Sequence, residues 1–450
     1  MKNMSCFLHI WKKTDMEIFE GKKVNILTVG CRLNQADTAL LSGRLAEAGF
    51  EIIKPGAKSH ADVIIINSCA VTSEASRKSR QSARRVRKER PSSCIVVTGC
   101  SVDTEKKAWL EEGSADIVIS NEEKKNIIRH LEEFYLQNRT APVRMQGKEA
   151  SDLFFEKANA VFPFKSRAFL KIQEGCNSFC SYCIVPYARG RERSRDIAEV
   201  VADFRNMLEK GFKEIVLTGV NICTYKCENT GLSGLVKELA SFERDFRIRL
   251  GSTEPHPSNY EIIDVIEAFP GKVCRFLHLP LQHGSDEILK LMNRKYTSSE
   301  YAAFVEEARK RIPGIHIGSD VIVGFPGETE KHFCEMREFI KKMEFANLHI
   351  FTYSKREGTP AVDFSGQVAP EIAAERYAAL SSDATESALS FAESQIGKEL
   401  TILVEKKLND IAEGWSDNYL KVKSSNPAAR KNSFLKITPS RVLPDATLED

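Results

Sequence analysis

No apolar run in this chain approaches the ~20 residues needed to cross a bilayer, and the one hydrophobic stretch near the start, FLHIW, is interrupted by His9 and followed by two lysines. It is too short for the apolar centre of a secretory signal, which leads to the expectation of a cytoplasmic protein with no membrane partner. Net charge is nearly absent too. With 65 Lys and Arg against 62 Asp and Glu, the formal balance is +3 over 450 residues, so any nucleic-acid contact must come from local patches rather than from the overall field. Twelve cysteines in a chain of this length lack the short, secreted context in which thiols pair into a disulfide framework. Histidine is missing altogether between residues 131 and 255.

Inside that gap lies GCNSFCSYC, which places Cys176, Cys180 and Cys183 in a C-x3-C-x2-C triplet directly after the apolar run AFLKI. A zinc knuckle would require a histidine or a fourth cysteine close by. The nearest thiols, Cys223 and Cys227, have no third partner and read as incidental. Three thiolates can instead hold three irons of a cubane cluster and leave the fourth iron open. An open iron can take an exogenous chelating ligand and pass it an electron, which a cluster closed by four cysteines cannot do by that route.

Upstream, VNILTVGC and DVIIINSC run as buried strands into a cysteine, as does CIVVTGC, with helical spacing between them. Such alternation predicts a parallel sheet, whose strands end on one side. Cys31, Cys69 and Cys100 should therefore meet at a carboxyl edge as a second set of three thiolates for a further cluster. Cys94, at the start of its strand, reads as a core thiol. The segment 75–91, ASRKSRQSARRVRKERP, has eight Lys or Arg and one Glu, and its Arg84, Arg85 and Arg87 suit either a solvated helix face or a phosphate-contacting surface.

After an unpatterned stretch over 139–166, six apolar strands (169–172, 214–219, 247–252, 276–281, 316–324 and 346–353) alternate with amphipathic segments. Six β/α units are too few for an eight-stranded closed barrel and predict an open, partial one. The cysteine triplet follows its first strand, hence belongs at its mouth. Just beyond it, ARGRERSR supplies Arg189, Arg191, Arg193 and Arg195, for ion pairs with Glu192 and Asp196 or for bidentate contact with phosphate or carboxylate. A helix over 370–397 and short strands from 399 onward complete the chain. There Trp415, Tyr419, Lys421 and Lys423 offer either a groove for single-stranded nucleic acid or core aromatics beside a solvated lysine edge.

From about residue 23 to its end the chain resembles the radical S-adenosylmethionine (SAM) methylthiotransferases. The stretches that carry the resemblance are TVGCRLNQADT, INSCAVTSEASRKSR, VVTGC, KIQEGCNSFCSYCIVPYARGRERSR, LHLPLQHGSD and SDVIVGFPGET. It implies an α/β chain: an N-terminal parallel-sheet α/β domain over 23–138, a central radical SAM partial (β/α)6 barrel over 167–395, and a small C-terminal β-rich TRAM-like domain over 396–450. Residues 139–166 are then a linker and 1–22 a disordered or misassigned extension. The resemblance also implies two 4Fe–4S clusters, the radical SAM cluster on Cys176, Cys180 and Cys183 and the auxiliary cluster on Cys31, Cys69 and Cys100. SAM would serve as both radical source and methyl donor, with contacts at Thr218, Gly219, Asn221 and Gly324.

The implied partners are a tRNA anticodon stem-loop, met by Arg84, Arg85, Arg87, Arg189, Arg191 and Lys421, and a low-potential electron donor such as flavodoxin or ferredoxin, with the chain acting as a monomer. GCRLNQADT resembles most the branch that modifies N6-threonylcarbamoyladenosine at tRNA position 37. Two other branches act on isopentenyladenosine at that position and on an aspartate of a small-subunit ribosomal protein. A non-catalytic iron–sulfur protein that binds RNA or carries electrons would explain the clusters and the basic patches, but not an open-iron triplet at the mouth of a six-unit barrel.

Overall fold

The computed structural model describes residues 18–54, 60–136, 143–144, 166–254 and 260–450. Most of the expected extension 1–22 and of the linker 139–166 lies outside them. Two compact units are present, one of residues up to 69 together with 75–163, the other of 70–74 together with 164–450. No helix among the described residues is long and apolar enough to cross a membrane.

In the first unit β1 (Lys23–Thr28), β2 (Glu51–Ile53), β3 (Val63–Ser68), β4 (Cys94–Gly99), β5 (Ile117–Val118) and β6 (Val143–Arg144) form one parallel sheet in the order β2-β1-β3-β4-β5-β6. Its central strands β3 and β4 are buried at every position because both faces are covered. Val63, Ile65, Cys94 and Val96 share a core with Leu41 and Leu45 of α1 (Arg32–Glu47), while Ile64, Ile66, Ile95 and Val97 share another with Ala83 and Val86 of α2 (Ser73–Glu89). Burial pushes the Cys94 thiol far up, with Asp116 adding to it, which makes it an inert core group. The strand order reverses between β1 and β3, and open α/β sheets bind ligands at the carboxyl ends of such a switch.

In the second unit β7 (Arg167–Lys171), β8 (Glu214–Thr218) and β9 (Arg247–Leu250) are parallel neighbours, as are β10 (Phe276–His278), β11 (His316–Val323) and β12 (Asn347–Thr352). Isolated bridges, Ile248 to Val273 and Ser252 to His278, join the two groups. Six strands thus follow one another in chain order, with β7 and β12 at the ends of a partial barrel. Among the helices around it are α3 (Ile197–Glu209), capped by the Asp196 carboxylate, and α4 (Ser298–Arg311) and α5 (Glu330–Met343), each opened by a threonine capping box.

After α6 (Pro370–Glu393), the strands β13 (Leu400–Leu408), β14 (Ile411–Ser416), β15 (Lys421–Ser424), β16 (Phe434–Ile437), β17 (Arg441–Val442) and β18 (Leu448–Glu449) form a mostly antiparallel sheet. This sheet is tied to the barrel through charge. Glu214, fully buried at the start of β8, pairs with Arg247 at 2.6 Å and Arg249 at 2.8 Å. The two guanidiniums donate onward to the main-chain oxygens of Thr401, Trp415, Ser416 and Asp417 at 2.8 to 3.1 Å. Burial pushes the Glu214 carboxyl up, but the two arginines outweigh it and hold it well below the usual carboxylate range. Trp415 and Tyr419 stack with ring centres 4.8 Å apart and lie against Arg167 and Arg249. Both rings are engaged in packing here, and each stays partly exposed.

Candidate active site

The triplet loop leaves β7 through a turn that only glycine can make. Gly175 has φ +71°, and a Cβ there would stand 1.9 Å from the carbonyl oxygen of Arg191. The short strands Gln173–Glu174 and Arg193–Ser194 pair antiparallel at the base of the loop. Residues 291–294 hold its far side: the Ser181 hydroxyl donates to Leu291 O at 2.8 Å, and the Asn293 amide donates to the carbonyls of Ser178 and Phe179 at 3.3 and 3.0 Å. Cys180 is buried; Cys176 and Cys183 are partly so. Burial pushes the Cys183 thiol up to about 12, with Cys180 adding to it. Burial and Cys180 also raise Cys176, against hydrogen bonding from Ser178. The three thiols share one short loop, and cationic iron is what would displace their protons. The donor set fits a 4Fe–4S cluster with one iron lacking a protein ligand.

Sequence reasoning missed Arg294. Its Nη1 donates to Cys180 Sγ at 3.3 Å, and its Nη2 lies 2.7 Å from Glu254 Oε1. Glu254 accepts from Asn221 Nδ2 at 2.8 Å, and its own backbone N–H donates to Cys223 Sγ at 3.2 Å. A polar chain thus runs from Asn221, in the turn after β8, to a cysteine of the triplet, and Cys223 is part of its surroundings. Gln173 Oε1 accepts the backbone N–H groups of Val220 and Asn221 at 2.9 and 3.0 Å. A Cβ on Gly219 would come within 2.8 Å of that oxygen. Thr218, Gly219 and Asn221 therefore form one tight strand-end turn beside the base of the triplet loop. Gly324 is explained differently: it has φ +73°, and a Cβ would meet Ala373 of α6 at 2.8 Å. Cys227 lies 4.0 Å from Asp196 Oδ2.

In the first unit the register pairs Thr28 with Asn67 and Ser68 with Gly99. Cys69 and Cys100 come next on their strands and Cys31 follows Thr28 by three residues, so all three occupy one carboxyl edge. Two glycines show how close the contact is. A Cβ on Gly30 would fall 2.6 Å from Cys69 Cβ and 2.7 Å from its Sγ, and one on Gly99 would fall 2.4 Å from the Ser68 carbonyl oxygen. Cys31 is exposed while Cys69 and Cys100 are buried, an edge-bound donor set that again fits a cluster on three thiolates. Beside it opens a cavity of about 760 Å³, lined by Thr28, Val29 and Gly30 and by Lys78, Arg84, Arg85 and Lys88 from α2.

The remaining cations divide by environment. Arg84 is half-exposed and 3.5 Å from Glu112; Arg87 pairs with Asp116 at 2.6 Å, and Lys421 lies 3.8 Å from Glu413. Arg189 is turned inward to Glu174 at 2.7 Å, and Arg195 to Asp203 at 2.9 Å and Glu199 at 3.9 Å, acids other than the Glu192 and Asp196 nearest in sequence. Arg191 stays exposed, its guanidinium 4.4 Å from the centre of the Phe179 ring.

Residues 170–340 match the radical SAM superfamily, and residues 23–120 match an uncharacterised protein family, UPF0004. The chain is 36% identical to the threonylcarbamoyladenosine tRNA methylthiotransferase MtaB of Bacillus subtilis, over 88% of each chain. It is 34% identical to the tRNA-2-methylthio-N(6)-dimethylallyladenosine synthase of Clostridium botulinum, over 86% of this chain and 88% of that one. Among solved structures, the radical SAM methyltransferase TsrM from Kitasatospora setae is 15% identical and shares the fold, with a TM-score of 0.54 over 76% of this chain and 75% of that one.

Proposed function

The chain belongs to the radical SAM methylthiotransferases, and from that premise we propose that it transfers a methylthio group to carbon 2 of N6-threonylcarbamoyladenosine at position 37 of tRNA. In this reading Cys176, Cys180 and Cys183 hold the SAM-cleaving 4Fe–4S cluster, Cys31, Cys69 and Cys100 hold the auxiliary one, and Thr218, Gly219 and Asn221 lie against SAM. When bound, these groups supply the electron, the radical and the sulfur for a C–H position that side-chain bases at ordinary pKa cannot deprotonate. The chain's own part is placement. Arg294 and Glu254 fix Cys180 relative to Asn221. Lys78, Arg84, Arg85 and Lys88 take phosphates of the anticodon stem-loop beside the auxiliary thiols, with Arg191 and Lys421 as further contacts. A low-potential flavodoxin- or ferredoxin-type protein supplies electrons to the monomer.

The observation that carries the reading is the combination in one chain of a thiol triplet at a barrel strand end and a second triplet at the edge of a parallel sheet. An electron carrier needs neither the open iron nor the barrel. The choice of threonylcarbamoyladenosine rests on relatives of that name at 36, 37 and 34% identity. Dimethylallyladenosine is the second reading, favoured by relatives at 34%. Mass spectrometry of tRNA nucleosides from cells with and without the gene separates them. Loss of 2-methylthio-threonylcarbamoyladenosine with accumulation of its precursor is expected. Loss of the 2-methylthio dimethylallyl nucleoside alone would select the second reading, and no change in either would sink the tRNA assignment.

A further inference from the structure

On the second half of the barrel, three chemistry-bearing residues that the proposed reaction does not use occupy adjacent parallel strands. Asp320 of β11 is directly opposite His349 of β12, and Gly318, two residues earlier on the same face, is opposite His278 of β10. The alternate residue Ser319 faces the helices, where its hydroxyl accepts from Tyr301 of α4 at 3.3 Å, so Asp320 and its two histidines occupy the concave face. His278 Nε2 is 3.0 Å from Asp320 Oδ2, and His349 Nδ1 is 3.0 Å from Asp320 Oδ1. One donor atom from each residue lies within 4.8 Å of the other two.

Two observations mark this as a prepared site for a cation. Gly318 sits between the ligating positions, and a Cβ there would press to 3.2 Å on His278 Nδ1; its absence lets the imidazole lean diagonally across the strand to reach the carboxylate. Second, the partly buried Asp320 carboxylate turns one oxygen to each imidazole, and among the described residues those two rings are its ion-pair partners.

We propose that His278, Asp320 and His349 bind a divalent first-row transition ion, with the remaining coordination positions open toward the concave face. The two-imidazole, one-carboxylate donor set suits Mn2+, Fe2+, Co2+ or Zn2+ rather than Ca2+ or a thiophilic ion. Mn2+ is the probe of choice because it avoids the chain's many thiols. The test is an anaerobic titration of the cluster-loaded full-length protein with Mn2+, free ion being read from its six-line EPR signal. Saturable uptake of one equivalent is expected, weakened at least tenfold in both His349→Ala and Asp320→Asn with the cluster absorbance unchanged. His349 is half-exposed on an end strand, so its variant keeps the test decisive if Asp320→Asn folds poorly. Absence of saturable uptake, or uptake unaltered in His349→Ala, would overturn the site and leave a hydrogen-bonded His–Asp–His triad.

Discussion

Arg294 brings a permanent positive charge to 3.3 Å from Cys180 Sγ, and hydrogen bonds to ligand sulfurs are among the levers that set a cluster's potential. Removing such a donor stabilises the oxidised form. Arg294→Gln is expected to lower the midpoint potential of the SAM-cleaving cluster, read by EPR-monitored redox titration, by about 60 mV for a bond worth about 1.4 kcal/mol. Cys180→Ala is the sharper change: no 5'-deoxyadenosine should form from SAM under anaerobic reduction, while the auxiliary cluster's absorbance persists. Loss of both clusters together would contradict two separate sites. The difference between these two residues also explains what could be read in advance. Cys176, Cys180 and Cys183 lie within eight residues of one another, so their chemistry is written in local spacing. Arg294 is 114 residues from the cysteine it serves, in a stretch, LMNRKYT, with nothing local to set it apart.

The strands were the most legible elements because parallel strands covered on both faces read as near-continuous apolar runs, and each of the three that ends near an N-terminal cysteine carries such a run. What periodicity could not supply was closeness at their ends. Gly30 illustrates it: only the fold reveals that its missing side chain is the space filled by Cys69. Gly30→Ala, at φ +105°, should cost about 1–3 kcal/mol as an overpacking and backbone penalty and should lower iron content from about eight to about four per chain through loss of the auxiliary cluster, as measured by iron analysis of reconstituted protein. Unchanged iron would sink the view that the Gly30–Cys69 contact shapes that edge. The basic helix α2 was harder to read because its buried stripe is Ser76, Ser79, Ala83 and Val86, small residues that make a faint apolar signal beneath a strong charge signal. Register between β10, β11 and β12 was not legible at all, and without it His278, Asp320 and His349 are three unrelated residues.

Across the whole second unit, Glu214 and its two arginines join the barrel to the C-terminal strands. The sequence RIRLGS reads simply as one of the six apolar strands, and nothing local names the partner of its arginines, 33 and 35 residues upstream. Glu214→Gln would leave two buried guanidiniums short of their counter-charge and should destabilise the unit by about 3–5 kcal/mol, seen as a fall in Tm at pH 7. The sign with pH follows from the depressed carboxyl. Its contribution is complete above the ordinary glutamate value of about 4.3 and is lost as pH falls through the lower folded-state value. The Tm gap between wild type and variant should therefore narrow below about pH 4; a constant gap would assign the loss to packing instead.

The grip of Arg247 and Arg249 on the C-terminal sheet has an evolutionary corollary. All four acceptors, at Thr401, Trp415, Ser416 and Asp417, are main-chain oxygens, so this part of the joint reads the path of the backbone and not the identity of its side chains. Side chains matter elsewhere in the joint, where the Asp417 carboxylate accepts from Arg275 at 2.6 and 3.1 Å and Tyr419 lies against Arg249, but the four carbonyl contacts themselves ask only for a chain of the same course. A lineage can thus retune what the terminal sheet touches while the barrel beneath it stays as it is.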